Sequence, residues 1–138
     1  MENKSGLFLK RDISVTGVEF VPESIATTEE GYKVLLDKEV SLQLVIANEG
    51  NVEETEVLIL ILVTDEFGET VFEKRTKLNT IGPFESKSYY TEPLKIEKGI
   101  VYEWFILVEE TENEEDFEDN IYSVKAFIPC LLYTSDAA

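Results

Sequence analysis

The chain has 138 residues, 29 of them acidic against 12 basic, no histidine, and a formal net charge of −17. That balance argues against nucleic acid and anionic membrane surfaces as partners, since both need basic patches. With 43% hydrophobic residues the chain is not a disordered acidic tail, and its length suits one domain with a real core.

Residues 1–11 read as an N-terminal extension. The stretch "MENKSGLFLKRD" has no apolar h-region, so no signal peptide is visible. Either the protein is cytoplasmic or its natural start lies upstream. From residue 12 onward apolar and polar residues alternate, with turn residues between the segments. "DISVTGVEF" (12–20) is a strand whose phase shifts at Gly17, as at a bulge. "VPES" (21–24) breaks it, and "GYKVLL" (31–36) is a short edge piece. "EVSLQLVIAN" (39–48) places Val40, Leu42, Leu44 and Ile46 on one face, and "NEGN" (48–51) turns the chain. Residues 55–64 form a long strand, with a Gly-bearing hairpin at "DEFGE" (65–69). "TVFEKRTK" (70–77) returns as a charged edge strand whose Lys and Arg would discourage edge-to-edge pairing. "IGPFES" (81–86) connects to "KSYYTEPL" (87–94), which Pro93 ends or marks as an edge. "GIVYEWFILVEE" (99–110) is a strong strand, an acidic stretch follows, and "NIYSVKAFI" (120–128) is the last strand. No segment has the length and period of a helix. The expected fold is all-β, an antiparallel β-sandwich of about seven strands.

The longest apolar run, "VLILILV" (57–63), is too short to span a bilayer. Its oddity is that both faces are apolar: Val57, Ile59, Ile61 and Val63 on one, Leu58, Leu60 and Leu62 on the other. A sandwich strand buries only one face. Strand 101–108 repeats the pattern, with Phe105 and Leu107 opposite the Trp104 face. If these strands are neighbours, Leu58, Leu60, Leu62, Phe105 and Leu107 form an apolar patch on an outer sheet face, the kind that marks a contact site. The alternative is that residues 1–11 or 21–36 cover it.

The residues offer little chemistry. Without histidine the usual general base, the Ser-His and Cys-His nucleophile systems and the commonest transition-metal ligand are missing. There is no Gly-rich phosphate loop. No catalytic residue and no cofactor are expected, apart from weak Ca²⁺. The candidate for that ion is "EETENEEDFEDN" (109–120), where Glu110, Glu112, Glu114, Asp116 and Glu118 alternate and would point to one side of an extended chain. The segment has no Gly and cannot be an EF-hand loop. Its other reading is a solvated hairpin turn. Tyr89, Tyr90, Tyr102, Trp104 and Phe105 suggest a carbohydrate platform, but Tyr102, Trp104, Ile106 and Val108 share a strand face, which makes Trp104 a core residue.

Four pieces, in order, resemble the CARDB family, the adhesion-related immunoglobulin-like modules of bacterial and archaeal envelope proteins. They are "LQLVIANEGN" (42–51), "IGPFES" (81–86), "GIVYEWFILVEE" (99–110) and "NEEDFEDNIYSVKAFI" (113–128). The Gly-x-Ser/Thr turn common in the family stands here as "GPFES", and its frequent Asn-Asn pair as Asp119-Asn120. The resemblance covers residues 12–128. It implies an immunoglobulin-like sandwich and a non-catalytic, extracytoplasmic module that spaces domains or contacts other protein domains, including those of its own parent chain. The remaining residues, 129–138, end in "CLLYTSDAA", which resembles the in-frame translation of a sequencing adaptor. They are expected to be non-native from Cys130 on; the alternative is a natural tail with a buried thiol.

Overall fold

The computed structural model describes residues 10–108 and 121–130. These residues form β-strands and no helix, so none is long and apolar enough to cross a membrane. Seven strands have five or more residues: β1 (Ile13–Val21), β4 (Glu39–Asn48), β5 (Val57–Asp65), β6 (Thr70–Leu78), β7 (Ser86–Tyr90), β9 (Tyr102–Val108) and β10 (Ile121–Phe127). Three two-residue pieces, β2 (Ala26–Thr27), β3 (Lys33–Val34) and β8 (Leu94–Lys95), complete the set.

Two sheets face each other. One runs β1-β4-β7, with β8 also paired to β4; the other runs β2-β3-β10-β9-β5-β6. Every pairing between strands is antiparallel except the short β3–β10 contact. This is an all-β, immunoglobulin-like sandwich. The ladder between β1 and β4 shifts between Val15 and Gly17, so the glycine does mark a bulge.

Alternation builds the core. Val40, Leu42, Leu44 and Ile46 of β4 meet Val57, Ile59, Ile61 and Val63 of β5 and Tyr102, Trp104, Ile106 and Val108 of β9, and all are buried. Trp104 is 2% exposed and packs edge-on against Phe20, with ring centroids 4.9 Å apart. Tyr102 is buried too, and its hydroxyl accepts a 3.0 Å bond from the Glu97 backbone N–H, five residues upstream. A tyrosine at the start of the corresponding strand makes the same kind of bond in immunoglobulin sandwiches.

The turns are held by polar side chains. Asn48 is fully buried; its Nδ2 donates to the Val52 carbonyl at 2.7 Å and the Ile81 carbonyl at 3.0 Å, and its Oδ1 accepts from Gly50 N–H at 3.0 Å. That ties the 48–51 turn to the 81–86 connection. A Cβ on Gly50 would run into the Lys10 carbonyl, so only glycine fits there. In the β5–β6 hairpin, Asp65 Oδ1 accepts from Phe67 N–H and Glu69 N–H, both at 2.9 Å, and Gly68 takes a φ of 87°.

The segment read as one strand over 87–94 is divided in two. Tyr90 ends β7, and Thr91 then bonds back to β4: its hydroxyl accepts from Leu42 N–H at 2.8 Å and its N–H donates to the Leu42 carbonyl at 2.9 Å. Pro93 has no N–H for a ladder, and β8 resumes one residue later.

Candidate interaction face

The five residues expected to form a patch stand on the outer face of the six-stranded sheet. β5 and β9 are neighbours, and the register sets Leu60 opposite Leu107 and Leu62 opposite Phe105. Directly opposed residues share a face. Leu58 is 38% exposed; Leu60, Leu62, Phe105 and Leu107 are half-buried, and none of the five is buried. Their inward neighbours on the same strands are all buried.

A sixth member escaped the sequence reading. Ile121 pairs with Leu107 and is 50% exposed, so it extends the apolar face onto β10. The hairpin register between β9 and β10 locates it, and no periodicity within β10 announces it: the strand reads "IYSVKAF", with Ser123 and Lys125 following Ile121 on that face.

The rim is polar and partly basic. On β6, Glu73, Arg75 and Lys77 stand opposite Leu62, Leu60 and Leu58. On the other side Lys125 pairs with Glu103 and lies 5.5 Å over the Tyr32 ring. An apolar centre with a charged rim is the usual anatomy of a protein contact surface.

Lys74 does not join that rim. It opposes Ile61, on the inward side of β6, and its Nζ reaches Glu92 at 3.1 Å. The hydrogen bond to Glu92, with the nearby Tyr89 and the carboxylate charge, holds the Lys74 ammonium pKa above its ordinary value. This pair closes the side of the sandwich where β6 and β7 end their sheets.

The aromatic residues weighed as a carbohydrate platform do not assemble. The aromatic set is dispersed: Tyr102 and Trp104 are core, Phe105 is on the outer face, Tyr89 packs inward from β7, and Tyr90 is exposed on the opposite side of β7. These five share no common platform. The carboxylates Glu110, Glu112, Glu114, Asp116 and Glu118 lie outside the described residues. Among the described residues no group of three or more Asp, Glu or Cys is placed to hold a metal ion. Cys130 is a free, exposed thiol.

This sandwich has counterparts of known structure. The chain is similar in fold to a CARDB domain from Pyrococcus furiosus determined in solution by NMR, with a TM-score of 0.58, 14% identity, and coverage of 88% of this chain and 98% of that one. It is likewise similar to a crystal structure of the same domain in complex with di-metal ions, with a TM-score of 0.57, 16% identity, and coverage of 93% and 98%. No family model matches the sequence, and no curated protein does. The chain thus shares the CARDB fold, as the four sequence pieces implied.

Proposed function

We propose that this domain is a non-catalytic module that docks another protein domain on the outer face of its six-stranded sheet. The observation that carries the proposal is the set of opposed pairs Leu60–Leu107 and Leu62–Phe105, flanked by Leu58 and Ile121, all at least half-buried or exposed on a face the sandwich itself does not need to cover. Leaving such a surface in water is unfavourable by roughly 25 cal/mol per Å² of apolar area, and contact with a partner recovers it. The rim on β6 carries charge of both signs, Glu73 with Arg75 and Lys77, and Lys77 lies 3.7 Å from Glu56, so the polar edge of the contact is mixed in sign. A role in an extracytoplasmic envelope protein, spacing or joining domains, fits the shared fold.

Replacing Leu60 and Leu107 with Arg tests the docking face. The variant is expected to drop out of the native complex on size-exclusion chromatography of cell extracts while its melting temperature stays near that of the parent. Undiminished assembly contradicts the proposal.

A calcium role for residues 109–120 rests on the alternating carboxylates of the sequence and on the di-metal complex of the similar domain. A melt with and without millimolar calcium tests it. An ion bound with a dissociation constant equal to its concentration stabilises by about 0.4 kcal/mol, and an unchanged melt would sink the idea.

A further inference from the structure

Among the described residues Gly31, Gly68 and Gly99 have a positive φ, and so does one residue that is not glycine, Phe84, with a φ of 62°. A side chain with a Cβ is strained in that region, and a bulky one most of all. The turn between β6 and β7 sets this geometry. Glu85 N–H donates to the Gly82 carbonyl at 3.1 Å, Pro83 is the second residue of the turn, and Phe84 is the third, where a positive φ calls for glycine. The β5–β6 hairpin shows the ordinary solution. Phe67 stands at its tip too, but there the neighbouring Gly68 takes the positive φ.

Phe84 is unfavourable in a second way. It is 76% exposed, the most exposed of the large apolar side chains among the described residues, and it is no part of the core. A glycine here would relieve the backbone and remove the wet ring together. Strain and exposure thus coincide on a side chain that neither the turn nor the sandwich uses, and outliers of this kind gather where a protein holds a partner.

The surroundings say what the ring meets. The turn lies at the pole where β4, β6 and β9 end and β5, β7 and β10 begin. Three bases of this pole already face carboxylates: Lys10 with Asp12 at 3.6 Å, Arg11 with Glu54 at 3.1 Å, and Lys77 with Glu56 at 3.7 Å. Half-buried Lys87 is set against exposed Glu49, Glu53 and Glu85. The segment 109–120, with its eight carboxylates, leaves β9 and enters β10 at the same pole. We infer that Phe84 anchors a second contact, with a basic protein segment that carries apolar side chains among its Lys and Arg. The ring enters the apolar part, and the acidic pole attracts the charge. Nucleic acid and anionic lipid are repelled by the same field. This contact is at the end of the sandwich, apart from the leucine face on the outer side of one sheet.

Two peptides with equal numbers of lysines, one with leucines and one with serines between them, test the contact by titration calorimetry of the whole chain. At about 0.15 M salt charges more than about 8 Å apart are screened. The Lys-Leu peptide is expected to bind more tightly than the Lys-Ser peptide. Phe84→Gly should weaken the Lys-Leu peptide about tenfold or more, as expected of an aromatic anchor, yet melt at or above the temperature of the parent. Phe67→Ser, at the opposite pole, should leave binding unchanged. A Lys-Leu peptide bound no better than the Lys-Ser peptide, or not at all, would overturn the proposal. So would equal binding by the parent and Phe84→Gly, an equal loss in Phe67→Ser, or a lower melting temperature in Phe84→Gly. Binding lost in Leu60→Ser and kept in Phe84→Gly would place the peptide on the leucine face. Phosphatidylcholine vesicles that bind the parent but not Phe84→Gly, with the peptides indifferent, would give the ring to a lipid surface. Either result overturns it as well.

Discussion

The two faces of β5 and β9 are nearly equal in apolar content and opposite in circumstance. Ile59, Ile61, Val63, Trp104 and Ile106 are buried between the sheets, while Leu58, Leu60, Leu62, Phe105 and Leu107 stand on the same strands with their sides toward solvent. The first set is demanded by the sandwich: without it the two sheets have nothing to pack on. The second is not. A sheet with one solvated face is ordinarily polar there, as β6 is with Glu73, Arg75 and Lys77. Hydrophobicity that the fold does not require is therefore the feature that needs a function.

That contrast can be broken by mutation. Trp104→Ala removes a large buried side chain together with its edge-on contact to Phe20, and should destabilise the domain by about 3–5 kcal/mol in denaturant titration. A loss below about 1 kcal/mol would mean that the inner face is not the core. Asn48→Ala strands the Gly50 N–H and the Val52 and Ile81 carbonyls at once, and should cost about 1–3 kcal/mol in the same titration. A neutral result would show that the turn and the 81–86 connection are not held by this side chain. Leu60→Ser on the outer face should cost only about 0.2–1 kcal/mol, the size of a cross-strand pair. If Leu60→Ser proved as damaging as Trp104→Ala, the outer face would be a second core, covered within the domain, and the two faces would not differ.

Much of the fold was legible from the sequence because alternation is a direct image of a sheet with one packed side. Alternation of Val40, Leu42, Leu44 and Ile46 gives β4 to its end residues, and Gly17 marks the bulge in β1. Trp104 was placed in the core by the company it keeps on its strand. What failed to show was information carried by partners distant in sequence. Thr91 divides the 87–94 segment by bonding Leu42, 49 residues away. Ile121 joins the apolar face only through its pairing with Leu107. Lys74, Arg75 and Lys77 look alike as a basic cluster, yet Lys74 faces inward to Glu92 and the other two line the rim. The patch follows from the sequence only on the condition that β5 and β9 are neighbours, and the register that sets Leu60 against Leu107 comes from the structure.

The docking role of the leucine face is tested most directly by site-specific photo-cross-linking in cells that make the protein. A cross-linking residue is placed at position 60 or 107, and for comparison at 43 or 88, which pair with Glu19 and Val45 in the four-stranded sheet. A discrete protein adduct is expected from 60 and 107 and little from 43 and 88. Equal labelling from the two sheets, or none from positions 60 and 107, would contradict it.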